Sequence, residues 1–133
     1  MVGSVALMVG CGKDSPKTNR DASPHEVVAA WITALNDHDT AAARKLLSAD
    51  EARNVESQVD SWLRNVKRID NVKFVGDREP SNPTYESFVE VSVTFDLEQI
   101  KESSMMNGDT VWGYQLGRHS PDEPWLIVGQ GAG

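Results

Sequence analysis

The sequence predicts an α+β fold: three N-terminal helices packed on one face of a curved antiparallel sheet of about four strands. Two observations predict it. Apolar residues recur every three or four positions as far as Ile69, and from Val72 onward they alternate with polar ones. Helical periods thus precede strand periods without interleaving, the pattern of an α+β rather than an α/β chain.

The first helix opens at Ser23-Pro24-His25-Glu26. Ser23 is a cap, Pro24 suits the first helical position, and Glu26 completes a capping box. Val27, Val28, Trp31, Ile32 and Leu35 share one face, and Asn36 to Asp39 break the pattern. Asp39 or Thr40 caps a short second helix running through Leu47. Ser48-Ala49-Asp50-Glu51 reads as a second capping box. The third helix carries the cleanest stripe: Ala52, Val55, Val59, Trp62, Val66 and Ile69.

Val72 to Val75 make a short strand, and the proline-bearing stretch 76–83 is a loop. A long strand follows, with Tyr85, Val89, Val91, Val93, Phe95 and Leu97 alternating with polar residues; Phe88 is the exception on the polar side. Asn107-Gly108-Asp109 marks a turn. Trp112, Tyr114 and Leu116 alternate on the next strand, and Trp125 to Val128 form the last. Gly129-Gln130-Gly131 is read as the end of the fold.

Composition narrows the partners. The chain has 133 residues, 39% hydrophobic and 25% charged, enough to bury one core. It carries 13 Lys and Arg against 20 Asp and Glu, a net charge of −7. That balance opposes nucleic acid, whose phosphates need a basic face, and opposes attraction to an anionic membrane. A single cysteine excludes an internal disulfide and multi-cysteine zinc sites.

That cysteine is Cys11, preceded by the apolar run Val-Gly-Ser-Val-Ala-Leu-Met-Val-Gly. The run is far shorter than the roughly 20 residues that span a bilayer. It suits the apolar region of a signal peptide. Leu7, Met8, Val9, Gly10 and Cys11 resemble the end of a bacterial lipoprotein signal. The resemblance implies that Cys11 carries a lipid and that residues 1–11 are the signal segment ending on it. No Lys or Arg precedes Cys11, so the basic start of such signals is missing here. Residues 12–23 are polar and read as a flexible tether, with residues 24–133 as the domain. The expected location is the extracytoplasmic face of the cell membrane. The partners expected are that membrane, through the anchor, and an unidentified protein or small-molecule ligand.

The layout of residues 24–131 resembles the nuclear transport factor 2-like fold, a cystatin-like cone of helices closed by a bent sheet. The resemblance rests on the opening helix with Trp31, Leu35, Asp37 and Asp39, the Ala-Ala-Arg-Lys-Leu-Leu helix, the long alternating strand and the terminal Trp125-x-Ile127. Within that superfamily the chain is most similar to small domains of Gram-positive lipoproteins. The resemblance implies either a binding module or a pocket enzyme of the isomerase or dehydratase kind. Such enzymes need an Asp or His base beside a Tyr or another donor.

No metal-ligand spacing, phosphate-binding loop or nucleophile elbow occurs in the sequence, so no catalytic residue, metal or cofactor is expected. His119 beside Asp122 or Asp109 reads as a surface pair, and His38 between two aspartates as a turn. The candidate ligand contacts are aromatic: Trp31, Trp62, Tyr85, Trp112, Tyr114 and Trp125. Each also has a plain reading as core. The expected function is a membrane-tethered, non-enzymatic binding module, with the pocket enzyme as the alternative. A homodimer through the open sheet face is a further use of the same fold.

Overall fold

The computed structural model describes residues 21–57, 61–102 and 105–132. Cys11, the signal-like run before it and residues 12–20 of the tether lie outside the described residues. The fold is α+β, with a four-stranded antiparallel sheet in simple meander order.

The helices depart from expectation. There are four among the described residues, mostly short: α1 (Pro24–Asn36), α2 (Thr40–Arg44), α3 (Ala49–Ser57) and α4 (Trp62–Asn65). In α1 the predicted capping box forms, with Ser23 Oγ accepting from the Glu26 N–H and Glu26 accepting from the Ser23 N–H. Its buried face is Val27, Val28, Trp31, Ile32 and Leu35, with Ala34. Asp39 caps α2 by accepting from the Ala42 N–H, but the helix stops at Arg44.

The long third helix does not exist. Its stripe is divided between α3, α4 and the first strand, β1 (Val66–Arg78), and Val59 falls outside the described residues. Spacing of three misled because β1 is bulged. Val66 pairs with Gln99 and Arg68 with Glu98, so one extra residue sits on β1. In a regular strand, residues 66 and 69 would face opposite sides; the bulge returns both to the core. Val66 and Ile69 are accordingly buried. A second irregularity falls at Asn71, which has φ 57°, and a third before Gly76.

Asn36, the last residue of α1, holds this irregular edge. Its Nδ2 donates to the Ile69 carbonyl at 2.9 Å, and its Oδ1 accepts from the Ile69 N–H at 2.7 Å. One side chain thus supplies the pair of bonds that a neighbouring strand would give.

The remaining strands are β2 (Ser87–Gln99), β3 (Gly108–Arg118) and β4 (Leu126–Ala132). On β2, Val89, Val91, Val93, Phe95 and Leu97 are all buried, as their alternation predicts. On β3 the same holds for Tyr114 and Leu116. The glycines read as the end of the fold instead belong to β4, where Gly129, Gln130 and Gly131 pair with Gln115, Tyr114 and Gly113. The start of β4 is covered by residues 46–48. Ile127 donates to the Leu46 carbonyl, and Ser48 donates to the Ile127 carbonyl at 2.9 Å.

The core lies between α1 and the inner face of the sheet, with Trp31, Tyr114, Leu116 and Ile127 at its centre. The outer sheet face is mostly polar, with Val111 exposed on it. Arg78 pairs with Glu90, and Asp70, Asp96 and Asp109 stand side by side across three strands.

Candidate functional site

Two recesses bring chemically useful side chains together. The smaller lies between α3, α4 and the sheet, and has a volume of about 190 Å³. Its walls include Trp62, Trp112 and Met105, and its polar groups are Glu51 with the amides and hydroxyl of Asn54, Ser61, Asn65, Gln99 and Gln130. Trp62 and Trp112 meet edge to face, their centroids 5.1 Å apart.

Glu51 is the notable member, because its residue surface is only 6% exposed. In a full capping box its carboxylate would turn back to the Ser48 N–H. That N–H is committed to Ile127. Ser48 Oγ still accepts from the Glu51 N–H at 3.2 Å, so half of the box survives. The freed carboxylate turns inward, where Asn54 Nδ2 donates to it at 3.4 Å and Gln130 Nε2 at 3.3 Å. Gln130 is itself oriented by the Trp112 indole, whose Nε1 donates to its Oε1 at 3.0 Å. The result is a chain from Trp112 through Gln130 to Glu51, with no cation facing the carboxylate among the described residues.

The larger recess is an open cleft of about 1030 Å³. It lies where the start of α1 meets the loop 79–86. Tyr85, Phe88 and Trp125 provide its apolar surface, and Asp77, Glu79 and Glu86 its carboxylates. Tyr85 stacks on Phe88 at 6.0 Å and on His119 at 5.0 Å. Gly117 makes room for it: a Cβ there would sit 2.7 Å from the Tyr85 ring. The Arg118 guanidinium lies over Trp125, 4.5 Å from the ring centroid. On the far side His25 bonds Asp77 at 2.8 Å and stacks on Phe74 at 4.3 Å.

The family model described as a domain of unknown function (DUF4829) matches residues 25–131. The chain belongs to this family. No curated protein and no solved structure matches it.

The six aromatic candidates divide three ways in this DUF4829 domain. Trp62 and Trp112 meet in the inner recess, and Tyr85 and Trp125 line the outer cleft. Trp31 and Tyr114 are completely buried in the core. Trp31 Nε1 and the Tyr114 hydroxyl make no hydrogen bond, though the indole is near enough to offset part of the burial that drives the Tyr114 pKa upward. Cys11 lies outside the described residues. His38 closes α1 with φ 56°, and His119 serves as a stacking partner of Tyr85.

Sequence reasoning missed the bonded pair Glu51 and Gln130 of the inner recess. Glu51 belongs to a capping motif that accounts for it locally, and Gln130 stands between glycines whose composition reads as the end of the fold. The period-2 continuation from Ile127 through Gly129 to Gly131 was the available signal for a longer strand. Nothing local announces the inward turn of Glu51, because it depends on Ile127.

Proposed function

We propose that this DUF4829 domain is an extracytoplasmic, lipid-anchored, non-enzymatic binding module of the nuclear transport factor 2-like type, with the outer cleft as its principal ligand seat. The observation that carries this reading is the cleft's composition and place. Three aromatic rings and three carboxylates line it, with no Lys or Arg among the described lining residues. Ser23, Pro24 and His25 form one rim, beside the described start of the chain. Residues 12–20, at no more than about 3.5 Å each, reach at most about 30 Å. A lipid on Cys11 therefore keeps the cleft close to the membrane surface, and two or more acyl chains suffice for stable anchoring. Among the described residues no helix is long and apolar enough to cross a membrane.

The cleft's chemistry favours a ligand with apolar surface and positive charge, such as a basic segment of a protein. The pocket-enzyme alternative draws on Glu51, an acid inside a recess. The described lining beside it holds indoles, amides and the Ser61 hydroxyl, which caps α4, but no second ionisable group to share a proton with Glu51, which favours binding over proton transfer.

Two measurements test the proposal. In detergent-phase partitioning of the full chain, wild type is expected in the detergent phase and Cys11→Ser in the aqueous phase; recovery of both in one phase overturns the anchor. In amide NMR titrations, tetralysine is expected to shift residues 77–89 and Trp125, and tetraglutamate to shift none of them. Shifts scattered evenly over the acidic surface would overturn the cleft as the seat.

A further inference from the structure

The inner recess carries a second assignment, independent of the anchor and of the outer cleft. We infer that it binds a small organic ammonium ion, with Glu51 as the counter-charge and Trp62 and Trp112 as the aromatic wall.

The argument starts from the cost of Glu51. A carboxylate withdrawn from water is destabilising unless it is paired and well hydrogen-bonded. Glu51 is 6% exposed, and its side-chain donors are two neutral amides at 3.3 and 3.4 Å, both long for such bonds. No Lys, Arg or His lines the recess among the described residues. The adjoining sequence positions outside the description, Gln58-Val59-Asp60 and Ser103-Ser104, contain no basic residue either. Among the described residues the Glu51 carboxylate therefore has no counter-charge.

The neighbours select the kind of cation. A hard metal ion takes six or more oxygen ligands, and here Glu51 is the one carboxylate; Asn65 and Gln99 are bonded to each other and to the backbone of Lys101 and Met105, and Ser61 Oγ accepts from the Leu63 N–H. No group of three His, Cys, Asp or Glu residues among those described is arranged to hold a metal. Indole walls instead favour a soft cation whose charge is spread over alkyl groups, since such a cation gains from the ring faces and loses little hydration. Met105 adds a polarizable contact on the same wall. Size agrees: about 190 Å³ corresponds to roughly six water molecules at about 30 Å³ each, enough for a tetramethylammonium-sized group. The Gln130 amide, fixed by Trp112, holds the carboxylate in place for it.

The test uses the full chain with tetramethylammonium or choline chloride. The controls are 3,3-dimethylbutan-1-ol, the uncharged isostere of choline, and sodium chloride at matched ionic strength. The expected result is a saturable change in tryptophan fluorescence and a raised melting temperature with the two cations only. In wild type the accompanying amide shifts are expected at Glu51, Asn54, Trp112 and Gln130. Glu51→Gln is expected to keep the fold and weaken binding at least about tenfold, while Asp96→Asn, the same change on the outer sheet face, leaves binding unaltered. Four results would overturn the assignment. They are an equal response to the alcohol, undiminished affinity in Glu51→Gln, amide shifts located elsewhere, or no saturation by about 100 mM, a concentration far above a millimolar dissociation constant. The wild-type amide shifts decide the matter even if Glu51→Gln does not fold.

Discussion

Ser48 donates its backbone N–H to the carbonyl of Ile127 at 2.9 Å, and this one bond separates a helix cap from a binding recess. It ties the start of α3 to the edge of β4. It also removes the partner that Glu51 would have in a closed capping box. The Ser48 hydroxyl continues to cap α3 through the Glu51 N–H. Ser48→Ala is therefore expected to cost about 1 kcal/mol, the usual worth of such a cap. Urea unfolding measures it, and no change in the midpoint would show that the hydroxyl is dispensable.

Asn36 makes two bonds to the backbone of Ile69. Asn36→Ala leaves that stretch of β1 without a partner on its α1 side. The expected loss is about 2 kcal/mol, from two ordinary hydrogen bonds. Amide exchange at Ile69 should accelerate more than exchange on β3. Uniform acceleration would indicate a global effect rather than a local clamp.

Gly117 lies under the Tyr85 ring. Gly117→Ala is expected to push that ring away from His119 and destabilise the domain by about 1–3 kcal/mol, as overpacking does. Tyr85→Ala should abolish most of this penalty. A double-mutant cycle reads the coupling, and additive effects would show that the two residues do not share one space.

Asp96 faces Asp109 across β2 and β3. A hydrogen bond to Asp109, then partial desolvation and repulsion from the same group, raise the Asp96 pKa above its ordinary 3.8. A raised carboxyl pKa means that the folded chain holds the proton more tightly than the unfolded one. The resulting stability is present below the ordinary value and is lost as pH rises through the raised one. At neutral pH the two charges oppose each other, so Asp96→Asn should melt higher than wild type. The gap should narrow in acid below that range, and narrow with added salt. Melting curves across pH check this, and a gap independent of pH would count against it.

The Tyr114 hydroxyl is buried without a hydrogen bond. Deleting an unsatisfied buried polar atom removes a desolvation cost, so Tyr114→Phe is expected to be neutral or to stabilise by up to about 2 kcal/mol. A loss of stability on denaturant titration would reveal a partner for the hydroxyl in solution.

Much of the architecture was legible in local pattern. The Ser23 to Glu26 cap, the buried face of α1 and the alternation of β2 follow from residues within a few positions of one another. Such features form because neighbouring side chains repeat at the period of the backbone itself. The division of the expected third helix was not legible. Val66 and Ile69 have helical spacing, and their place on one face of a strand exists only because β1 is bulged against β2. The aromatic candidates show the same limit. Trp31 and Trp62 lie on comparable stripes, yet Trp31 is completely enclosed and Trp62 borders a recess.

The sequence by itself therefore determined the α+β order, the acidic charge, the buried faces of α1 and β2 and the lone Cys11 ahead of a polar stretch. The tertiary structure alone decided where the recesses lie and what faces them. The physical reason is that periodicity specifies which side of an element is apolar, a property of its own residues. Whether a buried carboxylate meets a cap, a cation or an empty space depends on bonds made by distant chain segments. For Glu51 that segment is Ile127, whose carbonyl takes the Ser48 N–H, together with Gln130 three residues later on the same strand.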